Sequence, residues 1–345
     1  MLRFLSAGES HGRSLVAILQ GVPAGLRIDK KVIDKELARR QSGFGRGKRM
    51  KIEKDKVEIL SGLIKQKTIG SPICLKIDNR DFSIDRLAAI SAPRPGHADL
   101  AGTLKYGFNN IRCVLERASA RETAIRVAAG AVCKILLGNF KIKIQSKLLS
   151  VGAEVLPANI KQEIRDARRE NDTLGGVFEV VAKGVPVGLG SYAQADMRLD
   201  GRLAQAIMSI PGIKAVEFGL GSSFAFLRGS EVHDEIFYSK KKGFYRKSNN
   251  AGGIEGGLSN GEPIIIRAYM KPISSLPVPL TSVNINSRKP TKATVQRADT
   301  SAVMAAGVIA EGAVAIVLAD AFLEKFGSDS LNQIRMSYQA YLKSI

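Results

Sequence analysis

Two stretches of the chain carry apolar residues of an unusual kind. Residues 121–137 set Ile125, Ala128, Ala129, Val132, Ile135 and Leu136 on one stripe at helical spacing, and most of that stripe is small. Something therefore packs very close to it. Residues 301–326 read as a long helix rich in Ala, Gly and Val, apolar on nearly every side and hence buried. A third helix is predicted over 29–40, where Asp29 caps and Val32, Ile33 and Leu37 recur at helical spacing. Strand composition marks 56–64, 73–77, 178–185, 214–218 and 263–270. Glycine pairs punctuate the rest: Gly175-Gly176, Gly252-Gly253 and Gly256-Gly257. Two buried Ala-rich helices among many β segments predict helices enclosed between sheets.

Composition narrows the picture. The 345 residues are about twice a typical domain, yet no Ser/Gly run, Pro-rich stretch or low-complexity block divides them, so 1–345 is read as a single domain. A hydrophobic content of 45% is ample for a sizeable core. The opening Met1-Leu2-Arg3-Phe4-Leu5 runs directly into polar residues, which argues against a signal peptide. The longest apolar run, around 313–318, is broken by Glu311 and Asp320, so no membrane span is expected. Cys74, Cys113 and Cys133 are scattered, odd in number and form no Cys-x-x-Cys. Neither disulfides nor a zinc or other metal site is expected, and a reducing cytoplasm is.

The formal net charge of +20 calls for an anionic partner: nucleic acid, acidic membrane or a multiply charged small molecule. Nucleic acid is disfavoured by an aromatic content of only 6% without Trp, which leaves few stacking platforms. No RNP-type, helix-turn-helix or zinc-finger pattern is present either. Part of the excess is solvated lysine, such as the surface turn Lys240-Lys241-Lys242.

Candidate chemistry begins with the three histidines. Two sit in glycine-bracketed polar clusters, Gly8-Glu9-Ser10-His11-Gly12 and Pro95-Gly96-His97-Ala98-Asp99. Histidine changes charge near neutral pH, and glycine beside it lets a ligand come close. His233 lies in a solvated loop and is assigned no role. Gly8-x-Ser10-x-Gly12 also matches a hydrolase nucleophile elbow, but too little chain precedes it to build the sheet an elbow needs. His11 is better read as an acid or a cation facing a leaving group. Arg39 to Lys51 is the densest basic segment, with Gly43, Gly45 and Gly47 keeping it pliable. It suits an anion clamp that orders on ligand binding, a nucleic-acid arm or an ordinary exposed loop. At Arg117-Ala118-Ser119-Ala120-Arg121-Glu122, Ser119 and Glu122 form a capping box, and two arginines flank a helix N-terminus suited to an anion. The turn Asn249 to Gly257 offers backbone amides to a phosphate or flat ring, or simply bulges and tight turns. Asp299 or Ser301 can cap the last long helix, and Asp299 beside Arg297 can also be a base held ionised.

Taken together, these segments resemble the chorismate synthase family. The blocks are AGESHG (7–12), RRQSGFGRGKRMKIEKD (39–55), PRPGHADLAGTLKY (93–106), ERASARETAIRVAAGAV (116–132), GGVFEVVAKGVPVGLGS (175–191), NNAGGIEGGLSNGEPI (249–264), MKPISS (270–275) and RADTSAV (297–303). The resemblance runs from Phe4 to about Phe326, nearly the whole chain, and these blocks occur in the family's order. The resemblance implies an α+β fold, a β-α-β sandwich with a helical layer between two antiparallel sheets, assembled as a homotetramer. It implies the 1,4-elimination of phosphate and a C6 hydrogen from 5-enolpyruvylshikimate 3-phosphate to chorismate, with reduced FMN required although no net redox occurs. By the family's pattern Arg40, Arg46, Arg49 and Arg121 hold the substrate anions, with Arg297 close to both ligands. His11 gives a proton or hydrogen bond to the phosphate, His97 protonates the flavin around N1 and O2, and Asp299 takes a proton near flavin N5. FMN contacts carry over to Arg117, Ala118, Ser119, Pro211, Gly212, Gly256, Lys271, Pro272, Ile273, Ser274, Ser275 and Arg297. Pro211-Gly212 stands where members often have Asn-Ala, Ala298 where Ser or His is common, and Ser301 where Cys is frequent. NADPH is a possible reductant, with Arg40 and Arg46 associated with NADP. Two rival readings stay open: an NADPH-dependent flavin reductase or flavin-binding protein, which intact His11, His97 and Asp299 argue against, and a basic nucleic-acid-binding protein.

Overall fold

The computed structural model describes residues 2–45, 54–241, 243–296 and 299–345. The chain opens with β1 (Arg3–Ala7) and β2 (Ser14–Gln20), an antiparallel pair. β3 (Glu58–Ile59) and β4 (Ile73–Asp78) complete a four-stranded antiparallel sheet in the order β1-β2-β4-β3. The period-2 rule sets which face is buried: Leu15, Ala17 and Leu19 of β2 and Ile73, Leu75 and Ile77 of β4 all point into the core. The strand expected over 56–64 is not continuous. Ser61 Oγ donates to Pro72 O and accepts from Cys74 N–H, so a side chain takes over ladder partners and the strand stops. The chain resumes as Leu63–Ile64, hairpinned to Lys67–Thr68.

A second antiparallel sheet joins β5 (Lys143–Val151), β6 (Gly176–Lys183), β7 (Ile213–Phe218) and β8 (Ile264–Met270) in the order β5-β6-β8-β7. Phe178, Val180 and Ala182 alternate into the core opposite Ile264, Ile266 and Ala268. Among the described residues, the α-helices of six residues or more are α1 (Lys30–Gln41), α2 (Asp99–Tyr106), α3 (Arg112–Arg117), α4 (Thr123–Gly138), α5 (Pro157–Arg169), α6 (Leu199–Met208), α7 (Val303–Phe326) and α8 (Leu331–Ser344). The architecture is mixed α/β. α4 packs on β2 and β4, α7 packs on β5 and β6, and α4 and α7 pack on each other.

The small residues of α4 and α7 explain that last contact. A Cβ on Gly130 would lie 2.4 Å from Gly312 Cα, so the two helices cross backbone to backbone. Alanine normally stabilises a helix relative to glycine by about 1 kcal/mol. Here the sign should reverse: Gly130→Ala is expected to cost roughly 1–3 kcal/mol by forcing the helices apart. Urea unfolding of the variant checks this, and an unchanged or raised midpoint would contradict the close crossing.

Local start signals were only partly followed. Asp29 caps α1 as expected, accepting from Lys31 N–H at 2.9 Å, and Ile33 and Leu37 are buried while Val32 is exposed. Ser119 accepts from Arg121 N–H, but it caps a 3-10 turn, Ala120–Glu122, ahead of α4. Glu122 does not complete a capping box there; its carboxylate is taken by Ser6 Oγ and Arg126. Neither Asp299 nor Ser301 caps α7, whose N-cap position is Ala302. The preceding segment is tied by its backbone to other parts of the chain, with Thr300 N–H donating to Gly45 O, Leu174 N–H donating to Thr300 O and Leu174 bridging Ser301. α7 begins two residues later than the helix expected over 301–326 and ends at the expected Phe326. It is long and apolar enough to cross a membrane, but 78% of its most apolar window is buried inside the protein. Glu311, which breaks the longest apolar run of the sequence, lies within this helix and is fully buried.

Candidate functional site

A cavity of about 480 Å³ opens where the ends of both sheets and several helices meet. This is the size range of small-molecule sites. Ser10 and His11 reach it from the β1–β2 loop, and Arg40 from the last turn of α1. Arg94, Gly96, His97 and Ala98 line it just before α2. Ala118, Ser119, Ala120, Arg121 and Thr123 come from the α3–α4 junction, and Pro211 and Gly212 from the turn before β7. Lys271, Pro272, Ile273, Ser274 and Ser275 follow β8, and Asp299 precedes α7. Most of the anticipated residues, spread over nearly the full length of the sequence, thus border one space.

The β1–β2 loop has a sharp backbone requirement. Gly8 sits at φ +113°, and a Cβ there would lie 2.5 Å from Ser14 O. The turn leaves Ser10 2% exposed, with its hydroxyl 3.2 Å from Ser119 Oγ. Two strands flank this loop, not the strand and helix of a nucleophile elbow. The hydrolase pattern is therefore a coincidence of glycine spacing.

His11 is anchored by Glu116, the first residue of the 116–132 block, to which the sequence assigned no role. Glu116 Oε2 accepts from both the backbone N–H and Nδ1 of His11, each at 2.9 Å. Burial pushes the Glu116 carboxyl up, but hydrogen bonds and charge from His11, with Arg112 behind, hold it below the usual carboxylate range. Asp81 approaches the other ring nitrogen, Oδ2 to Nε2, at 3.8 Å.

His97 is held in a parallel way. Asp99 Oδ1 accepts from His97 Nδ1 at 2.5 Å. Arg94 braces Asp99 through its backbone N–H (3.1 Å) and Nε (2.8 Å) and reaches Ser275 Oγ at 2.7 Å. Burial raises the Asp99 carboxyl, yet the bonds from His97 and Arg94 overcome it and keep it far below the ordinary value. Arg94 is a cavity-lining residue missed in the sequence; the signal was its place inside Pro93-Arg94-Pro95, where flanking prolines fix the backbone that carries it.

The two described arginines expected to hold anions are 3% and 5% exposed, for Arg40 and Arg121. Arg40 donates to Thr123 Oγ1 and Ala120 O. Arg121 donates to Asn79 Oδ1 at 2.8 Å and to Asp55 Oδ1 at 2.6 Å, while Asp55 Oδ2 lies 3.6 Å from Arg40. One carboxylate faces two guanidiniums, so the group retains positive charge in a fixed geometry. Lys271 adds another cation, bonded to Gly96 O and Ser274 Oγ. Burial, and then the nearby Lys214, push its ammonium below the ordinary value, so an anion beside it would be welcome.

Not every anticipated residue reaches the cavity. Arg117 turns to Gly8 O and Ser6 O. Gly256 sits in the tight turn between Ile254–Glu255 and Leu258–Ser259, away from the lining. The glycine-rich segment before it is clamped internally: Asp234 accepts from Ser248 Oγ, Asn250 N–H and Ala251 N–H. Its glycines serve a backbone crossing, since a Cβ on Gly252 would lie 2.3 Å from Gly219 N. Arg46, Arg49 and Arg297 lie outside the described residues.

Known proteins resemble this chain over almost its whole length. A profile of the family described as chorismate synthase matches residues 2–323. Chorismate synthase of Caldanaerobacter subterraneus subsp. tengcongensis is 52% identical over 99% of this chain and 98% of that protein. Chorismate synthase of Sulfurihydrogenibium sp. is 51% identical over 100% of this chain and 99% of that protein. A solved structure titled as the crystal structure of chorismate synthase superposes with a TM-score of 0.82 at 43% identity, covering 99% of this chain and 98% of its own.

Proposed function

Because the chain belongs to the chorismate synthase family, we propose that this cavity is where it carries out the family's reaction. The protein is a lyase of the shikimate pathway that forms chorismate. The reaction eliminates phosphate and a C6 hydrogen from 5-enolpyruvylshikimate 3-phosphate. The observation that carries the assignment is the convergence of His11, His97, Asp299, Arg40 and Arg121 on one cavity.

Reduced FMN is the cofactor in this reading, and the residues fit it. Lys271 and Ser274 close over Gly96, where a Cβ would come 3.3 Å from Lys271 Nζ, so the wall there is cut close to a cationic group. Ala118, Ser119, Pro211, Gly212 and Lys271 to Ser275 would hold the flavin, whose chemistry is transient electron transfer to the breaking C–O bond. Arg297 completes the proposed contacts; Arg117 and Gly256 stay in the family's pattern of contacts although neither lines the cavity of the single chain. Arg40 and Arg121 hold the substrate's anionic groups, with Arg46 and Arg49 joining them. Fixed cations of this kind stabilise charge as it develops on the departing phosphate. His11 delivers a proton or hydrogen bond to that phosphate, His97 holds a proton against the flavin ring, and Asp299 accepts one.

The same reading includes a single domain with its helical layer between two antiparallel sheets, a cytoplasmic location and a homotetramer free of nucleic acid and membrane. For the tetramer, Leu104, Tyr106, Phe226 and Phe244 are large apolar side chains left open on the single chain. For the cytoplasm, Cys74, Cys113 and Cys133 are all free thiols. The test is anaerobic turnover with reduced FMN and 5-enolpyruvylshikimate 3-phosphate, followed by chorismate absorbance and phosphate release. Absence of turnover from intact protein would defeat the assignment. Oxidised FMN with NADPH as sole reductant decides whether the protein also reduces its own flavin, with Arg40 and Arg46 as the NADP contacts.

A further inference from the structure

We propose that Asp99 and Glu116 are positioning residues: each keeps its histidine's proton on Nδ1, so that Nε2 of His97 and Nε2 of His11 are the atoms through which protons move. This rests on the reading above, in which both histidines handle protons.

The argument starts from what a carboxylate can do. Ionised, it only accepts hydrogen bonds. Glu116 is 3% exposed and Asp99 1%, so each has a fixed set of partners. Glu116 Oε2 faces Nδ1 and the backbone N–H of His11, its Oε1 faces Arg112 Nη1 at 3.3 Å, and its backbone carbonyl accepts from Ser10 N–H at 2.9 Å. Asp99 receives His97 Nδ1 on Oδ1, together with Arg94 Nη2 at 3.0 Å, and two more Arg94 donors on Oδ2. An acceptor-only partner at Nδ1 requires the hydrogen there, and the ring's exchangeable position becomes Nε2. In both dyads an arginine behind the carboxylate helps keep it ionised. The charged groups facing each ring are Glu116 and Asp81 for His11, and Asp99 and Arg94 for His97.

The arrangement makes an unusual prediction for Asp99→Asn. The amide's NH2 must displace one acceptor oxygen. On the Oδ2 side it would meet two donors of Arg94, neither of which can become an acceptor. On the Oδ1 side it would meet only one, Arg94 Nη2 at 3.0 Å, together with His97, which can become an acceptor by moving its proton to Nε2. The amide should therefore turn towards His97 and reverse its tautomer.

The chain's three histidines make this directly readable. With the full-length protein labelled with 15N-histidine, wild type should show Nδ1–H at His11 and His97, with the exposed His233 as internal reference. In Asp99→Asn, His97 should switch to Nε2–H while His11 is unmoved, and turnover should fall by about 10²-fold or more. Glu116→Ala, a second variant should the first fail to fold, should release His11 from Nδ1–H and leave His97 unmoved. His97 keeping Nδ1–H in Asp99→Asn, or His11 keeping it in Glu116→Ala, would overturn the proposal. So would a reversed tautomer with undiminished turnover. The spectra need neither substrate nor flavin, so wild type with both Nδ1–H signals but no chorismate would instead overturn the functional reading.

Discussion

Replacing His11 with alanine is expected to slow chorismate formation by about 10²- to 10⁴-fold, the range for loss of one positioned general acid. Affinity for FMN should stay within about tenfold, or roughly 1.4 kcal/mol. The split follows from the geometry. Arg40 and Arg121 are locked by Asp55, Asn79 and Thr123, none of which depends on His11, so the anion-holding charge survives the substitution. What disappears is a group whose Nδ1 is committed to Glu116, leaving one ring nitrogen for a departing phosphate. An interaction that strengthens only as charge develops on the leaving group lowers kcat and kcat/KM together. His97→Ala should behave alike in rate, with the loss falling on the flavin side of the cavity. Steady-state kinetics with reduced FMN under anaerobic conditions measures both. A His11→Ala enzyme with normal kcat and raised KM would show that the ring only binds substrate, and its role as acid would fall.

How much of this was legible in the sequence differs by residue. The stripes of α4 and α7 were readable because period and residue size are local properties, and the same smallness that marked them permits the Gly130–Gly312 crossing. The glycine-bracketed histidines were readable too. Their carboxylate partners were not. Asp99 stood two positions from His97 inside a quoted motif, yet spacing alone does not say that a side chain will fold back on its own turn. Glu116 meets His11 across 105 residues, and nothing in one sequence encodes that pairing. The strand over 56–64 failed because strand composition does not register that Ser61 competes for ladder partners. The expected caps at Glu122, Asp299 and Ser301 failed for a related reason: tertiary partners claimed Glu122, and long-range backbone bonds tie Thr300 to Gly45 and Leu174 ahead of the helix.

Glu311 is the sharpest case, because the charged residue that breaks the apolar run of a buried helix is what ties the core elements together. Its carboxylate, fully buried on α7, accepts two bonds from Arg39 of α1 at 2.7 and 2.8 Å, one from Lys134 of α4, and two from Ser146 of β5 at 2.6 and 2.8 Å. Burial would raise its pKa, but Arg39, Lys134 and Ser146 prevail and bring it from 4.5 to about 2. A carboxylate depressed in the folded state contributes stability that is fully present above its unfolded pKa and lost as pH falls through the folded one. Here the window runs from about pH 4.5 down to about 2, and the shift corresponds to roughly 3 kcal/mol. Glu311→Ala should therefore destabilise the fold at pH 7 by about 3–5 kcal/mol, the cost of breaking a buried ion pair. The lower end is expected, since Arg39 and Lys134 both keep Glu36 as a partner and Arg39 can turn partly to water. The gap between wild type and variant should narrow as pH drops from 5 towards 2, because the wild type is then losing the same contribution. Denaturant unfolding at pH 7 and pH 3 tests both statements. A loss under 1 kcal/mol at pH 7, or a gap that does not change with acid, would show that Glu311 is not held ionised by its three partners.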